Sequence, residues 1–186
     1  MSRLFDIVDT PISGLKALRR RKLLDERGFL QRIFCNEELK QIIEERRIVQ
    51  VNHTYTRKEG TVRGLHFQRP PHAEMKIVSC IRGSVFDVAV DIRSDSPTFL
   101  KWHGRRLSAE NGESLAIPEG FAHGFQTLES DCEMLYLHTA SYCVEAEGGI
   151  DAVSDALGIT WPLMISERSD RDVGLACAEN FEGICL

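Results

Sequence analysis

The chain has no Cys-x-x-Cys pair, no apolar run long enough to cross a membrane and no excess of positive charge. Each absence removes a class of protein. The six cysteines, Cys35, Cys80, Cys132, Cys143, Cys177 and Cys185, are scattered along 186 residues. In a chain of this length that reads as reduced thiols, not a disulfide or zinc scaffold. A formal net charge of −5 leaves no electrostatic footprint for nucleic acid. Asp6 and Asp9 interrupt the first apolar residues, so no signal-peptide core is expected there. The expectation is a cytoplasmic protein that binds neither nucleic acid nor membrane. There is no internal repeat, no low-complexity segment and no strand–helix alternation of the kind a parallel sheet requires.

What is present predicts one β-rich antiparallel domain over residues 1–186, with an extended arm over about 1–24, a β core over about 48–140 and a C-terminal segment over about 150–186. Pro11, Ser13 and Gly14 mark a turn in the arm. The run Arg19-Arg20-Arg21-Lys22 reads as a solvated face. Asp25-Glu26-Arg27-Gly28 reads as a turn. Residues 36–47 predict the one substantial helix: Asn36 as N-cap, Glu37 and Glu38 in the first turn, Arg46 and Arg47 in the last, and Leu39, Ile42 and Ile43 as the apolar stripe. From Ile48 onward short alternating runs are broken by Gly and Pro, as in an all-β sandwich or barrel. Strands are expected at 49–52, 77–81, 84–92, 98–107, 114–117, 120–128 and 133–139, and a short helical turn at 155–158.

The chemistry concentrates in Gly60-Thr61-Val62-Arg63-Gly64-Leu65-His66-Phe67-Gln68, followed by the rigid Pro70-Pro71 and then Lys76. His66 is the side-chain type that takes and returns a proton near neutral pH. Arg63 and Lys76 supply cations able to hold the charge left when a proton beside a carbonyl is removed. Arg63 and His66 are three apart and would point to opposite sides of a regular strand, so a bulge near Gly64 is expected. Period-2 alternation puts Asp87 on a face of small apolar residues, His123 between Phe121 and Phe125, and Tyr136 with Met134 and His138. Asp87 there needs a partner, and His123 is the candidate to hold it. Gln50 and Asn52 share one strand face. His53, His72, His103 and His138 read as ordinary structural or surface histidines.

The stretch GTVRGLHFQRPPHAEMK resembles the signature of the dTDP-4-dehydrorhamnose 3,5-epimerase family, cupin-fold sugar-nucleotide epimerases. FDVAVDIRSDSPTF, LSAENGESLAIPEGFAHGFQTL and GGIDAVSDALGITWP resemble the same family in the same order, so the likeness spans roughly residues 20–172. It implies an all-β, cupin-type jelly-roll sandwich with a few short peripheral helices. It implies an isomerase that epimerises C3, C5 or both of a nucleotide-diphosphate 4-keto-6-deoxyhexose, without a cofactor. His66 would be the base, Tyr136 the acid, and Lys76 with Arg63 the enolate stabilisers. Arg27, Gln50, Asn52, Gln68, His123 and Arg171 would contact substrate, with Asp87 a structural partner in the site. The family's S-x-(K/R)-D motif is matched fully by Ser169-Asp170-Arg171-Asp172, which makes Asp172 the partner of His66 and Asp170 the alternative. Ser166-Glu167-Arg168-Ser169 matches only with serine in place of the acid.

The resemblance also implies a homodimer with exchanged N-terminal strands. Where the family usually has a glutamate this chain has Arg32, which leaves the nucleotide base open. Metal-binding cupins carry His-x-His, whereas here His66-Phe67-Gln68 has an amide in the second position, so no catalytic metal is expected. The alternatives are a C3-only or C5-only epimerase acting on another nucleotide sugar such as a CDP-sugar, and a non-catalytic sugar-nucleotide-binding cupin.

Overall fold

The computed structural model describes residues 3–186. Thirteen strands follow in order: β1 (Phe5–Asp9), β2 (Lys16–Arg20), β3 (Lys22–Asp25), β4 (Gly28–Gln31), β5 (Gln50–Thr56), β6 (Val62–Gln68), β7 (Lys76–Arg82), β8 (Ser84–Asp91), β9 (Trp102–Ser108), β10 (Glu113–Ile117), β11 (Phe121–Thr127), β12 (Cys132–His138) and β13 (Glu147–Gly149). Two four-residue helices, α1 (Lys40–Ile43) and α2 (Asp170–Val173), lie at the periphery. A six-stranded sheet runs β1-β2-β10-β7-β12-β5 and a five-stranded sheet runs β13-β6-β11-β8-β9. Pairing within both is antiparallel, and β3–β4 forms a separate hairpin. This is the expected jelly-roll sandwich. Among the described residues no helix is long and apolar enough to cross a membrane.

Three apolar clusters explain the strand patterns. The central one lies between the sheets and takes Val78, Leu115 and Met134 from one and Val85, Ala89 and Phe125 from the other. A second covers the outer face of the five-stranded sheet, where Val62, Leu65, Val88 and Val90 meet Ile150, Leu157 and Ile184 of the C-terminal segment. Strand β8 is therefore buried on both faces, which is why Val85, Phe86, Val88, Ala89 and Val90 are apolar whichever sheet face they occupy. The third packs Leu39, Ile42 and Ile43 with Leu4 and Phe5 on the outer face of the six-stranded sheet.

Several expectations change. The helix over 36–47 shrinks to Lys40–Ile43, preceded by Leu39 with no side-chain cap and ended by Glu44 at φ 51°. Its charged residues serve tertiary contacts instead: Glu38 accepts the Leu4 N–H at 2.6 Å, and Arg46 pairs with Glu119 at 2.7 Å. One turn cannot propagate without tertiary support, and the support here is the three buried apolar residues. The arm is no free extension, because β1 pairs with β2 and β2 pairs with β10. Within its basic run Arg20 is only 4% exposed and donates Nε to the Gly112 carbonyl at 3.1 Å. Strand β9 starts at Trp102 rather than 98, because Ser96 and Thr98 hydroxyls turn back to Asp91 at 2.5 and 2.6 Å. The short turn at 155–158 is closed by the Leu157 and Gly158 N–H groups donating to the Ser154 carbonyl at 3.1 and 3.4 Å.

The bulge near Gly64 is present. His66 pairs with His123 but Arg63 pairs with Phe125, so β6 carries one more residue than β11 across this interval. Gly64 sits at φ +115°, and a Cβ there would lie 2.7 Å from both the Gly124 Cα and the His123 carbonyl. Only glycine meets both demands. The bulge turns Arg63 and His66 toward one cavity. Gly64→Ala is expected to destabilise the fold by roughly 1–3 kcal/mol, read from the denaturant midpoint; an unchanged midpoint would contradict this account of the bulge.

Candidate active site

A cavity of about 240 Å³ opens between the two sheets. Gln50, Asn52 and Thr54 on β5, Glu74 and Lys76 at the start of β7, and Tyr136 and His138 on β12 line one wall. Arg63, His66 and Gln68 on β6 and His123 and Phe125 on β11 line the other, with Tyr142 and Glu147 at the rim. The six-stranded sheet thus brings the lysine and the phenol, and the five-stranded sheet brings the imidazole.

His66 Nε2 lies 2.7 Å from Asp172 Oδ1, with side-chain exposures of 32% and 4%. The imidazole is half open to the cavity while its carboxylate partner is enclosed. Asp172 Oδ2 also accepts the Gly64 N–H at 3.2 Å. The local sequence explains the placement. Ser169 caps α2 by accepting the Asp172 N–H at 3.1 Å, and Arg168 Nη2 donates to the Asp172 carbonyl at 2.7 Å. Burial tends to raise the Asp172 pKa, but the His66 and Gly64 bonds outweigh it and hold the group below the ordinary carboxylate value. Asp170 is exposed on the other side of α2, so Asp172 and not Asp170 meets His66.

Next to this pair, His123 Nε2 bonds Asp87 Oδ2 at 2.8 Å, and both are buried. The His123 ring stands edge-on to Tyr136 with centroids 6.0 Å apart. Tyr136 in turn stacks on His138 at 6.0 Å and 18°. Burial, reinforced by the Asp87 carboxylate, pushes the Tyr136 phenol well above its ordinary pKa, so it keeps its proton. Lys76 Nζ lies 3.1 Å from Glu74 Oε1 and 3.4 Å from the His66 carbonyl. Arg63 donates to Thr56 Oγ1 at 3.2 Å. The cavity therefore gathers a paired imidazole, a protonated phenol and two cations, a set suited to moving protons beside a carbonyl.

The remaining residues are less uniform. Gln50 and Asn52 line the cavity and bond each other at 3.2 Å. Gln68 lines it too, but its amide is engaged internally: Nε2 donates to Glu74 Oε2 at 2.7 Å and Oε1 accepts the Cys143 N–H at 2.6 Å. Arg171 pairs with Glu147 at the rim and faces an adjoining groove with Tyr55, Arg57 and Lys58. Arg27 is not brought to the cavity of its own chain. It sits at the tip of the β3–β4 hairpin, paired with Asp25 at 2.6 Å. Arg32 pairs with Glu38.

Glu74, His138, Thr54, Tyr142 and Glu147 line the cavity without having been read as site residues. The alternation that puts Tyr136 on the inner face puts His138 there as well, and that is the signal able to find it. Glu74 has the same signal, two residues before Lys76. Among the described residues no three His, Cys, Asp or Glu side chains gather as a metal site needs.

Comparison with known proteins agrees with this geometry. Residues 9–177 match the family model described as dTDP-4-dehydrorhamnose 3,5-epimerase. The chain is 44% identical over 153 residues to the dTDP-4-dehydrorhamnose 3,5-epimerase of Sinorhizobium fredii, covering 82% of this chain and 78% of that protein. It is 44% identical over 168 residues to the Salmonella typhimurium enzyme of the same name, covering 89% and 91%. Its fold superposes with a TM-score of 0.88 on the Legionella pneumophila dTDP-6-deoxy-D-glucose-3,5-epimerase, solved in complex with dTDP-4-keto-L-rhamnose, at 38% identity over 93% of this chain and 92% of that one. A carboxylate-paired imidazole, a phenol and a lysine around one inter-sheet cavity thus sit on a jelly roll shared with these isomerases, and the chain belongs to the dTDP-4-dehydrorhamnose 3,5-epimerase family.

Proposed function

We propose that this chain epimerises a dTDP-linked 4-keto-6-deoxyhexose at C3 and C5 in deoxysugar synthesis, with His66 as base and Tyr136 as acid. The observation that carries the reading is the His66–Asp172 bond of 2.7 Å in the wall facing Tyr136 and Lys76. The C4 ketone acidifies the neighbouring C–H bonds. His66, held through Nε2 by Asp172, offers Nδ1 to the proton. The C–H electron pair moves into the ketone, and the enolate oxygen carries the charge. Lys76 and Arg63 stabilise that charge, the interaction that strengthens as the transition state forms. Tyr136 then gives its proton to the same carbon from the opposite face, and the configuration inverts. Solvent takes the His66 proton and restores the Tyr136 proton. Protons move and hydride does not, so the chemistry calls for no redox cofactor.

Asp172 serves as in other carboxylate–imidazole pairs, fixing the tautomer and stabilising the imidazolium. Its depressed pKa keeps it ionised through the neutral range. Gln50, Asn52 and Arg171 are positioned at the cavity and rim for the nucleotide diphosphate. Arg27 is the exception, and a homodimer accounts for it. The β3–β4 hairpin exposes Leu24 at 78% and Phe29 at 60%, and the edge strand β5 exposes Val51 at 56%. An apolar hairpin of this kind is suited to cover a second copy and carry Arg27 to that copy's cavity.

His66→Ala is expected to cut deuterium uptake at C3 and C5 in D2O by roughly 10²–10⁴-fold, followed by NMR of the sugar. Undiminished uptake removes His66 as base. Tyr136→Phe is expected to retain exchange while inversion slows; equal loss of both would make Tyr136 a substrate-positioning group instead. For the assembly, sedimentation should give a dimer that Leu24→Asp with Phe29→Asp converts to a monomer of reduced turnover. A wild-type monomer, or a double variant that stays dimeric, contradicts the hairpin contact.

A further inference from the structure

Glu74 takes no part in the proton transfers proposed above, yet it sits in the same cavity with a side chain only 7% exposed. A buried carboxylate beside the place where an enolate gains negative charge opposes the reaction unless a cation stands between them. Lys76 stands there. Glu74 Oε1 is 3.1 Å from Lys76 Nζ, whose side chain is 10% exposed. Glu74 Oε2 accepts from Gln68 Nε2 at 2.7 Å and lies 3.6 Å from His138 Nδ1. Gln68 is itself fixed by the His72 carbonyl at 3.0 Å and the Cys143 N–H at 2.6 Å. Lys76 and His138 are direct partners across β7 and β12, and the His138 ring stacks on Tyr136. Burial tends to raise the Glu74 pKa, but the facing His138 imidazole and the Lys76 ammonium hold it below the ordinary value, so the group stays ionised near neutral pH.

On the proposed epimerase reading, we infer that Glu74 is a positioning residue: anchored by Gln68, it braces the Lys76 ammonium toward the enolate oxygen and, through His138, backs the Tyr136 ring. Its carboxylate does not touch substrate. The charged or titratable groups facing it are Lys76 on β7 and His138 on β12; Arg63, Tyr142 and Glu147 close the same cavity. Removing the anion while keeping the shape takes away the carboxylate that holds Lys76 Nζ at 3.1 Å, so the ammonium is no longer braced at one position in the cavity.

The test measures kcat and KM with dTDP-4-keto-6-deoxyglucose for wild type, Glu74→Gln, Glu74→Asp, Lys76→Met and the Lys76→Met, Glu74→Gln double variant. Glu74→Gln should lower kcat by roughly 10–100-fold with KM changed by less than about threefold. Glu74→Asp should recover part of the loss, and it carries the test if the glutamine variant folds poorly. In the Lys76→Met background Glu74→Gln should cost little more, because the two act as one unit. An unchanged kcat, a rise in KM alone, or an equal loss in the Lys76→Met background would overturn the inference while leaving the epimerase reading intact. A wild type that does not turn over the sugar would overturn that reading and this inference together.

Discussion

The bond between His66 and Asp172 ties together parts of the chain 106 residues apart. One end lies on β6 in the inter-sheet wall, and the other is on the first turn of α2. Asp172 accepts from His66 and from the Gly64 amide, so one buried carboxylate fixes both the imidazole and the bulge that aims it. Ser169 and Arg168 fix that carboxylate in turn. The parallel bridge from Thr61 to Glu167 brings the C-terminal segment alongside β6 just before the bulge. Without that docking Asp172 has no route to the cavity.

The rest of the cavity is arranged by charge across two walls. Each histidine lining the cavity has a carboxylate neighbour: Asp172 for His66, Asp87 for His123 and Glu74 for His138. Only His66 is substantially open, at 32% side-chain exposure against 5% and 10%. The same residue type thus stands half-open to the cavity in one place and enclosed in two others, the difference on which the proposed role of His66 rests. The phenol of Tyr136 keeps its proton because it is desolvated beside an anion.

Much of this was legible in the residues. Period-2 alternation placed Asp87, His123 and Tyr136 on inner faces because β8, β11 and β12 are regular strands with one face on the central cluster. The three-residue spacing of Arg63 and His66 around a glycine required a bulge. Other features depended on contacts that no local pattern carries. The charges around α1 have the composition of helix caps, but Leu4 and Glu119 claim two of them. Arg20 reads as part of a solvated run until the Gly112 carbonyl of a distant turn covers it. Arg27 matches a site position of the family, yet the β3–β4 hairpin holds it at its tip, paired with Asp25 and away from the cavity.

The central claim is that the buried Asp172 carboxylate makes His66 a base, and Asp172→Asn addresses it with the shape kept. Deuterium uptake at C3 and C5 should fall by roughly 10²–10⁴-fold, in a variant that still folds and binds dTDP. Uptake at the wild-type rate in a folded, dTDP-binding variant would contradict the account, since the imidazole would then need no carboxylate behind it.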